Sequence, residues 1–324
     1  MSTNHVKPIA SLKNFCSKMI DYAGLFPPAS LELPQAFHNF VFYSQGEYKW
    51  MLGKFIIPAK RLAELGNILD DMKIEGTIPI SVLGASGESI ADFNNYFAND
   101  LKSIQEFIGK YRSTVSVDAF EVRLPEELFK LDENDEMLDL MIGISAELER
   151  ALEKSIPVFY EATLTKDFET EIIRTVETIA ALDKGCGYKL RTGGIEASAF
   201  PDPEVIAFAI MTTCEFSVPM KCTAGLHHPV RHYNKEVSSI MHGFLNVFAA
   251  GIMAYTNNLD EAELLEVLNE EDPYEFIFTE SGFEWNEIAV SNLEIKESRD
   301  GYMLSYGSCS FDEPIEDLKT MELF

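Results

Sequence analysis

The sequence predicts an α/β fold: a (β/α)8 TIM-type barrel with a C-terminal β-hairpin insertion. Short apolar strands alternate with longer segments of helical period, and they recur roughly every 20 to 40 residues, the length of one βα unit. Seven such units in succession favour a closed parallel barrel over an open, doubly wound sheet. No G-x-G-x-x-G follows an early strand, so a dinucleotide-binding fold loses its main support. A chain of 324 residues exceeds one typical domain but suits a barrel with insertions, and no low-complexity linker divides it. Residues 1–324 are therefore expected to form a single barrel domain.

A first strand ends near Asp21. Strands follow over residues 54–58, 78–83, 117–124, 156–162, 187–191 and 218–223, each an apolar run bounded by turn formers. Between them, residues 90–111, 135–155 and 168–183 carry an apolar stripe at the helical period. Asp202 or Pro203 opens a further helix, since proline is well tolerated in a first turn. The C-terminal fifth breaks this rhythm. Residues 276–278, 283–290, 293–295 and 302–306 all read as strands, with Ser281-Gly282 and Asp300-Gly301 as hairpin turns between them. Either 276–278 or 302–306 closes the barrel as its eighth strand, and the remainder forms a β-hairpin insertion within about 274–306.

Composition narrows the function. A hydrophobic share of 46% is enough for a large core. A formal net charge of −27 repels both the phosphate backbone of a nucleic acid and an acidic membrane leaflet, so neither is an expected partner. The same charge keeps a soluble protein dispersed; the oligomeric state stays open, a homo-oligomer included. The longest apolar run, residues 243–255, contains Asn246 and is too short to span a bilayer. Lys7 and Lys13 bracket only a short mixed stretch, which does not read as a signal peptide. Cys16, Cys186, Cys214, Cys222 and Cys309 form no C-x-x-C pair and no zinc-finger spacing. Their odd number points to reduced thiols in a cytoplasmic protein.

A barrel strand normally fills its inner face with Val, Ile and Leu. Here four successive strands carry charge near their C-terminal ends, where the catalytic groups of such barrels belong. In the fourth, alternation with Phe120, Val122 and Leu124 puts Glu121 and Arg123 on one face. Glu161 ends the fifth, Lys189 and Arg191 share a face of the sixth, and Lys221 lies on the seventh. Buried charge is costly unless it is paired or used. One reading is a structural salt-bridge network in which Glu121 and Glu161 neutralise Lys189, Arg191 and Lys221. The other is an active site.

Lys189-Leu-Arg-Thr-Gly-Gly and Lys221-Cys-Thr-Ala-Gly-Leu lie one βα unit apart, so both lysines are expected at equivalent heights on neighbouring strands. Two ammonium groups in contact repel, and each lowers the other's pKa. A lysine drawn toward neutrality is a nucleophile for Schiff-base formation with a carbonyl, and Glu121 or Glu161 can then move protons. Lys189, Lys221, Glu121 and Glu161 are the expected catalytic set.

These two motifs resemble those of the class I aldolases of the deoxyribose-phosphate type. The resemblance implies that Lys189 forms the imine and that Lys221 tunes it. The chain departs from that family in three places. Glu121 and Arg123 stand where an acid–base aspartate is expected on the fourth strand, and Arg191 sits beside the imine lysine. His227-His228 follows the seventh strand in place of a phosphate-binding glycine pair. More broadly, Asp21-Tyr-Ala-Gly-Leu-Phe-Pro-Pro-Ala29, Lys189-Leu-Arg-Thr-Gly-Gly194, Thr223-Ala-Gly-Leu-His-His-Pro229 and Gly307-Ser-Cys-Ser-Phe-Asp-Glu-Pro314 resemble a family of uncharacterised bacterial barrel proteins. That resemblance implies no activity.

Around the catalytic set, residues 21–29 form a proline-rich turn that is either simply rigid or part of the site. Thr192-Gly193-Gly194 and Thr223-Ala224-Gly225 bare backbone N–H groups that can cradle an anion, although tight turns favour glycine in any case. No acidic residue interrupts 221–231, so Lys221, His227, His228 and Arg231 read as an electropositive island that draws a carboxylate or phosphate. The expected substrate contacts are Asp21, Arg123, Arg191, Thr192, Gly193, Gly194, Thr223, His227, His228 and Arg231. His242 is expected to cap an apolar helix, Cys309 to be buried filler, and Asp312 or Ser310 to cap a last helix. The run 261–272 is expected to be a solvated helix.

The leading expectation is a lyase of the aldolase kind, forming an imine at Lys189 with a small anionic carbonyl compound and needing no cofactor. An alternative is a metal-dependent barrel lyase or isomerase, with Glu121, Glu161 and His227 or His228 around a divalent metal and Lys189 as base. Adjacent histidines on an extended chain point opposite ways, so one of the two would serve. The third is a non-catalytic barrel that binds an anion.

Overall fold

The computed structural model describes residues 8–182 and 185–324. Lys7 and Asp183, the last residue of the expected 168–183 helix, lie outside them. Seven strands follow one another along the chain: β1 (Ile20–Tyr22), β2 (Leu52–Pro58), β3 (Ile78–Leu83), β4 (Val115–Arg123), β5 (Val158–Glu161), β6 (Gly187–Arg191) and β7 (Met220–Thr223). After them come a ribbon, β8 (His232–Asn234) with β9 (Ser239–Met241), and an antiparallel sheet of β10 (Phe276–Phe278), β11 (Gly282–Trp285) and β12 (Ile288–Ser291). The chain then returns through β13 (Met303–Ser308), and the parallel strands close in the order β1-β13-β7-β6-β5-β4-β3-β2. The fold is a (β/α)8 TIM-type barrel with an extra antiparallel sheet near the C-terminus.

The helices are α1 (Ala10–Cys16), α2 (Leu33–Gln45), α3 (Leu62–Asp71), α4 (Ile90–Tyr111), α5 (Asp135–Leu152), α6 (Phe168–Ala180), α7 (Pro203–Glu215), α8 (Phe244–Asn257), α9 (Glu261–Asn269), α10 (Asn292–Gly301) and α11 (Asp312–Thr320). Period-two alternation sorts the strand side chains. Outward residues are large and pack on this shell: Phe55 lies 5.6 Å from Phe37 and 5.5 Å from Phe40 of α2, and Phe120 meets Phe97 of α4 edge-on at 5.9 Å. Tyr160 donates its hydroxyl to the carbonyl of Met141 in α5. Burying each such aromatic contributes about 1.5–3 kcal/mol, so the outer faces hold the barrel together. The inner faces are thereby released from carrying all of the hydrophobic load.

Of the two candidates for the eighth strand, 302–306 is the one that closes the barrel, as β13. Residues 276–278 pair only with β11, antiparallel, so they cannot belong to the parallel ring. Residues 293–295, expected as a strand, lie inside α10. Ser291 Oγ accepts from the Glu294 N–H, and Glu294 Oε2 accepts from the Ser291 N–H at 2.8 Å. This capping box outweighs the apolar-polar-apolar alternation of Leu293-Glu294-Ile295. Asp300-Gly301 accordingly ends a helix and is not a hairpin turn.

His242 does not cap α8; Gly243 holds that position. The His242 ring is buried and donates from Nε2 to the carbonyl of Pro201 at 2.7 Å. Ser310 Oγ accepts from the Glu313 N–H at the start of α11, whereas Asp312 is already the first helical residue. The 261–272 run is only half solvated: Leu264, Val267 and Leu268 of α9 are buried against α7 and α8. Among the described residues no helix is long and apolar enough to cross a membrane.

Candidate active site

The strand register places Lys189 of β6 beside Lys221 of β7, as equivalent heights require. On the other side it places Arg123 of β4 beside Glu161 of β5. Since all of these strands run parallel, the inward side chains of their C-terminal halves meet in one layer.

That layer is a continuous series of alternating charge. Asp21 Oδ2 accepts from Lys221 Nζ at 2.5 Å and from Ser305 Oγ at 2.8 Å. Asp21 Oδ1 accepts from the Lys54 N–H at 2.7 Å. Lys221 Nζ also donates to Glu121 Oε1 at 2.5 Å, which accepts from Ser81 Oγ at 2.6 Å. Glu121 Oε2 faces Lys189 Nζ at 3.0 Å, and Lys189 reaches Glu161 Oε2 at 3.1 Å. Glu161 Oε1 accepts from Arg191 Nε at 2.9 Å. The order Asp21, Lys221, Glu121, Lys189, Glu161, Arg191 is electrically neutral, which is what makes so much buried charge tolerable.

The network sets the protonation states. Burial pushes each carboxylate up, but the cations outweigh it: Lys221 and Lys54 hold Asp21 below the usual carboxylate range. Lys221 and Lys189 do the same for Glu121, and Lys189 and Arg191 for Glu161. Burial disfavours the Lys221 ammonium, yet Asp21 and Glu121 hold its pKa above the ordinary lysine value. The expected mutual depression is thus reversed at Lys221, because Glu121 presents one oxygen to each ammonium and separates their charges.

Above Lys189 opens a cavity of about 410 Å³. Its polar border is Glu121, Lys189, Arg191, Glu196, Thr223 and His227, with backbone from Gly193, Gly194, Ala224 and Gly225. The two loops touch backbone to backbone: a Cβ on Gly225, at φ +79, would stand 2.9 Å from both Gly193 Cα and Thr192 O, so glycine is required there. Thr192 Oγ1 donates to the Ala224 carbonyl at 2.6 Å and ties the loops together.

Of the expected site residues, Lys189, Glu121, Arg191, Gly193, Gly194, Thr223 and His227 border this cavity. Glu161 and Arg123 border a neighbouring one of about 540 Å³, which shares Arg191. Asp21 and Lys221, 0% and 1% exposed, lie within the charged layer, and Thr192 acts through the loop contact. The electropositive island does not survive folding. His227 Nδ1 faces Glu313 at 3.2 Å and His228 Nδ1 faces Asp317 at 2.7 Å, both on α11. Lys221 is neutralised by Asp21 and Glu121, and Glu271, Glu204 and Asp202 act on Arg231. Among the described residues, no three His, Cys, Asp or Glu side chains stand where they could hold a metal ion.

Sequence reasoning missed Ser81, Ser305 and Lys54 in the charged layer. Ser81 between Ile80 and Val82 carried a readable period-two signal; Lys54 meets Asp21 through both its backbone N–H and its ammonium, 3.9 Å away, and only the backbone contact left no trace in the sequence. It also missed Ile56, Leu83 and Ile195 at the cavity, and Cys309, expected as filler, borders it. Burial raises the Cys309 thiol pKa, which works against a nucleophilic role. A scan against protein-family models finds no match for this chain, and a search of curated proteins finds none either.

Proposed function

We propose that this chain is a cytoplasmic lyase of the class I aldolase kind, acting on a small anionic carbonyl compound through a Schiff base at Lys189. One observation carries the reading: Lys189, 4% exposed, borders the cavity with carboxylates at 3.0 and 3.1 Å and a second lysine one strand away. Its five free cysteines suit a reducing compartment.

The chemistry conserves charge. Glu161 or Glu121 takes a proton from the ammonium, the freed amine attacks the carbonyl carbon, and a second N–H proton passes to the resulting alkoxide to give the carbinolamine. The same carboxylic acid returns the proton to the carbinolamine hydroxyl, which leaves as water. An iminium now stands where the ammonium stood, held by the same two carboxylates. In a β-hydroxy substrate the carboxylate then takes the hydroxyl proton, the carbon–carbon bond breaks toward the iminium, and an aldehyde departs from the enamine. Protonation of the enamine and hydrolysis restore the lysine. Lys221, tied to Asp21, keeps Glu121 ionised, and Arg191 offers its guanidinium to the substrate's anionic group.

Borohydride trapping with pyruvate and a panel of aldehydes, read by peptide mass spectrometry, tests this. A reduced adduct on Lys189, absent in Lys189→Arg, is the expected result. No adduct at either lysine with any carbonyl removes the proposal. Anion binding that survives Lys189→Arg without an adduct in the parent protein indicates a non-catalytic barrel.

A further inference from the structure

The cavity above Lys189 has two unlike sides. Toward β6 and β7 it presents Lys189, Arg191, Thr223 and His227. Toward β1, β2 and β3 it is hydrocarbon, from Phe26, Pro27, Pro28, Ile56 and Leu83, and Ile195 stands at the border 62% exposed. Ile195 thus extends the apolar lining to the mouth of the cavity.

We propose that the substrate is a 2-oxo acid carrying an aryl or branched alkyl group, and not a phosphorylated sugar; this rests on the imine reading of Lys189. In a 2-oxo acid the carbonyl and the carboxylate are neighbours. Lys189 and Arg191 are likewise neighbours on one face of β6, two residues apart. Arg191 spends only Nε on Glu161; among the described residues its two Nη groups make no hydrogen bond, and its side chain is half exposed. That fork suits a carboxylate. Glu196 at the border adds negative charge, which favours a singly charged carboxylate over a phosphate dianion. The rest of the molecule must then lie against Phe26, Pro28, Ile56 and Leu83. Sugar hydroxyls placed there would give up water without gaining a partner, whereas a hydrocarbon group is stabilised by the same transfer.

Analogues that cannot form an imine separate this inference from the reading beneath it. Phenyllactate and 2-hydroxy-4-methylpentanoate would be titrated calorimetrically into the full chain, against lactate and glycerol 3-phosphate. The apolar acids are expected to bind about tenfold or more tighter than either control, the gain from burying part of one such side chain. Ile195→Ser and Phe26→Ser should each reduce that advantage severalfold while leaving lactate unchanged. Ile195 is exposed enough that its variant leaves the fold intact. Glycerol 3-phosphate binding as tightly as phenyllactate overturns the inference, as does an advantage untouched by both variants. An imine trapped with other carbonyls would still stand in that case. Conversely, a failed trapping experiment with the apolar preference intact removes the imine and keeps the specificity.

Discussion

Lys189 and Lys221 are the same residue at the same height on adjacent strands, yet their surroundings differ in kind. Lys221 is sealed beneath the cavity, with Asp21 and Glu121 both at 2.5 Å. Lys189 has two looser contacts and borders open space. Register placed the two alike. The residues brought in by β1, which delivers Asp21 to Lys221 alone, made them unlike. A charge at the inner face of a barrel is therefore structural or chemical according to what closes over it, and the two ends of one charged series can differ.

The largest expected effect tests the sealed end. Lys221→Met strands Asp21 beside a partly exposed lysine 3.9 Å away and should cost about 3–5 kcal/mol, measured by urea unfolding at pH 7. Its acid limb should also change. The folded pKa values of Asp21, Glu121 and Glu161 are depressed, so their stabilisation is complete above the ordinary values of 3.8 and 4.5 and is lost as pH falls below them. In Lys221→Met that loss should be smaller.

A buried base outside the series provides the control. Burial pushes His242 from 6.5 down to about 4, so the unfolded state binds its proton first. Stability should be complete above pH 6.5 and should fall by about 3 kcal/mol as pH drops toward 4. His242→Gln should flatten that window and Lys221→Met should not; the opposite pattern would assign the window to the charged layer.

Lys189→Met should cost less, about 1–2 kcal/mol, because Glu121 keeps Lys221 and Ser81 while Glu161 keeps Arg191. If calorimetry shows it as costly as Lys221→Met, the two ends are equivalent and the distinction fails. The smallest stability change belongs to Arg191→Gln. This half-exposed side chain should contribute under about 1 kcal/mol to folding. Its loss should nevertheless weaken binding of an anionic ligand about tenfold, read by titration.

Much of this was legible in the chain. Residues 78–83, 90–111 and 187–191 match β3, α4 and β6 because a two-residue or helical period is a local property. The same period marked Glu121, Lys189 and Lys221 as inward. Residues 293–295 were misread although Ser291-Asn-Leu-Glu294 spells a capping box, since three apolar-polar-apolar residues satisfy both periods. The run 221–231 contains no acid, but α11 supplies Glu313 and Asp317, 86 and 89 residues beyond the histidines they meet.

From the sequence alone came the alternation of strands and helices, and with it the convergence of carboxylates and ammonium groups on one barrel mouth. Tertiary structure alone decided which lysine meets the cavity, which segment closes the ring and which charges cancel. Periodicity acts over a few residues, whereas burial and pairing depend on segments that meet only when β1 and β13 complete the cylinder.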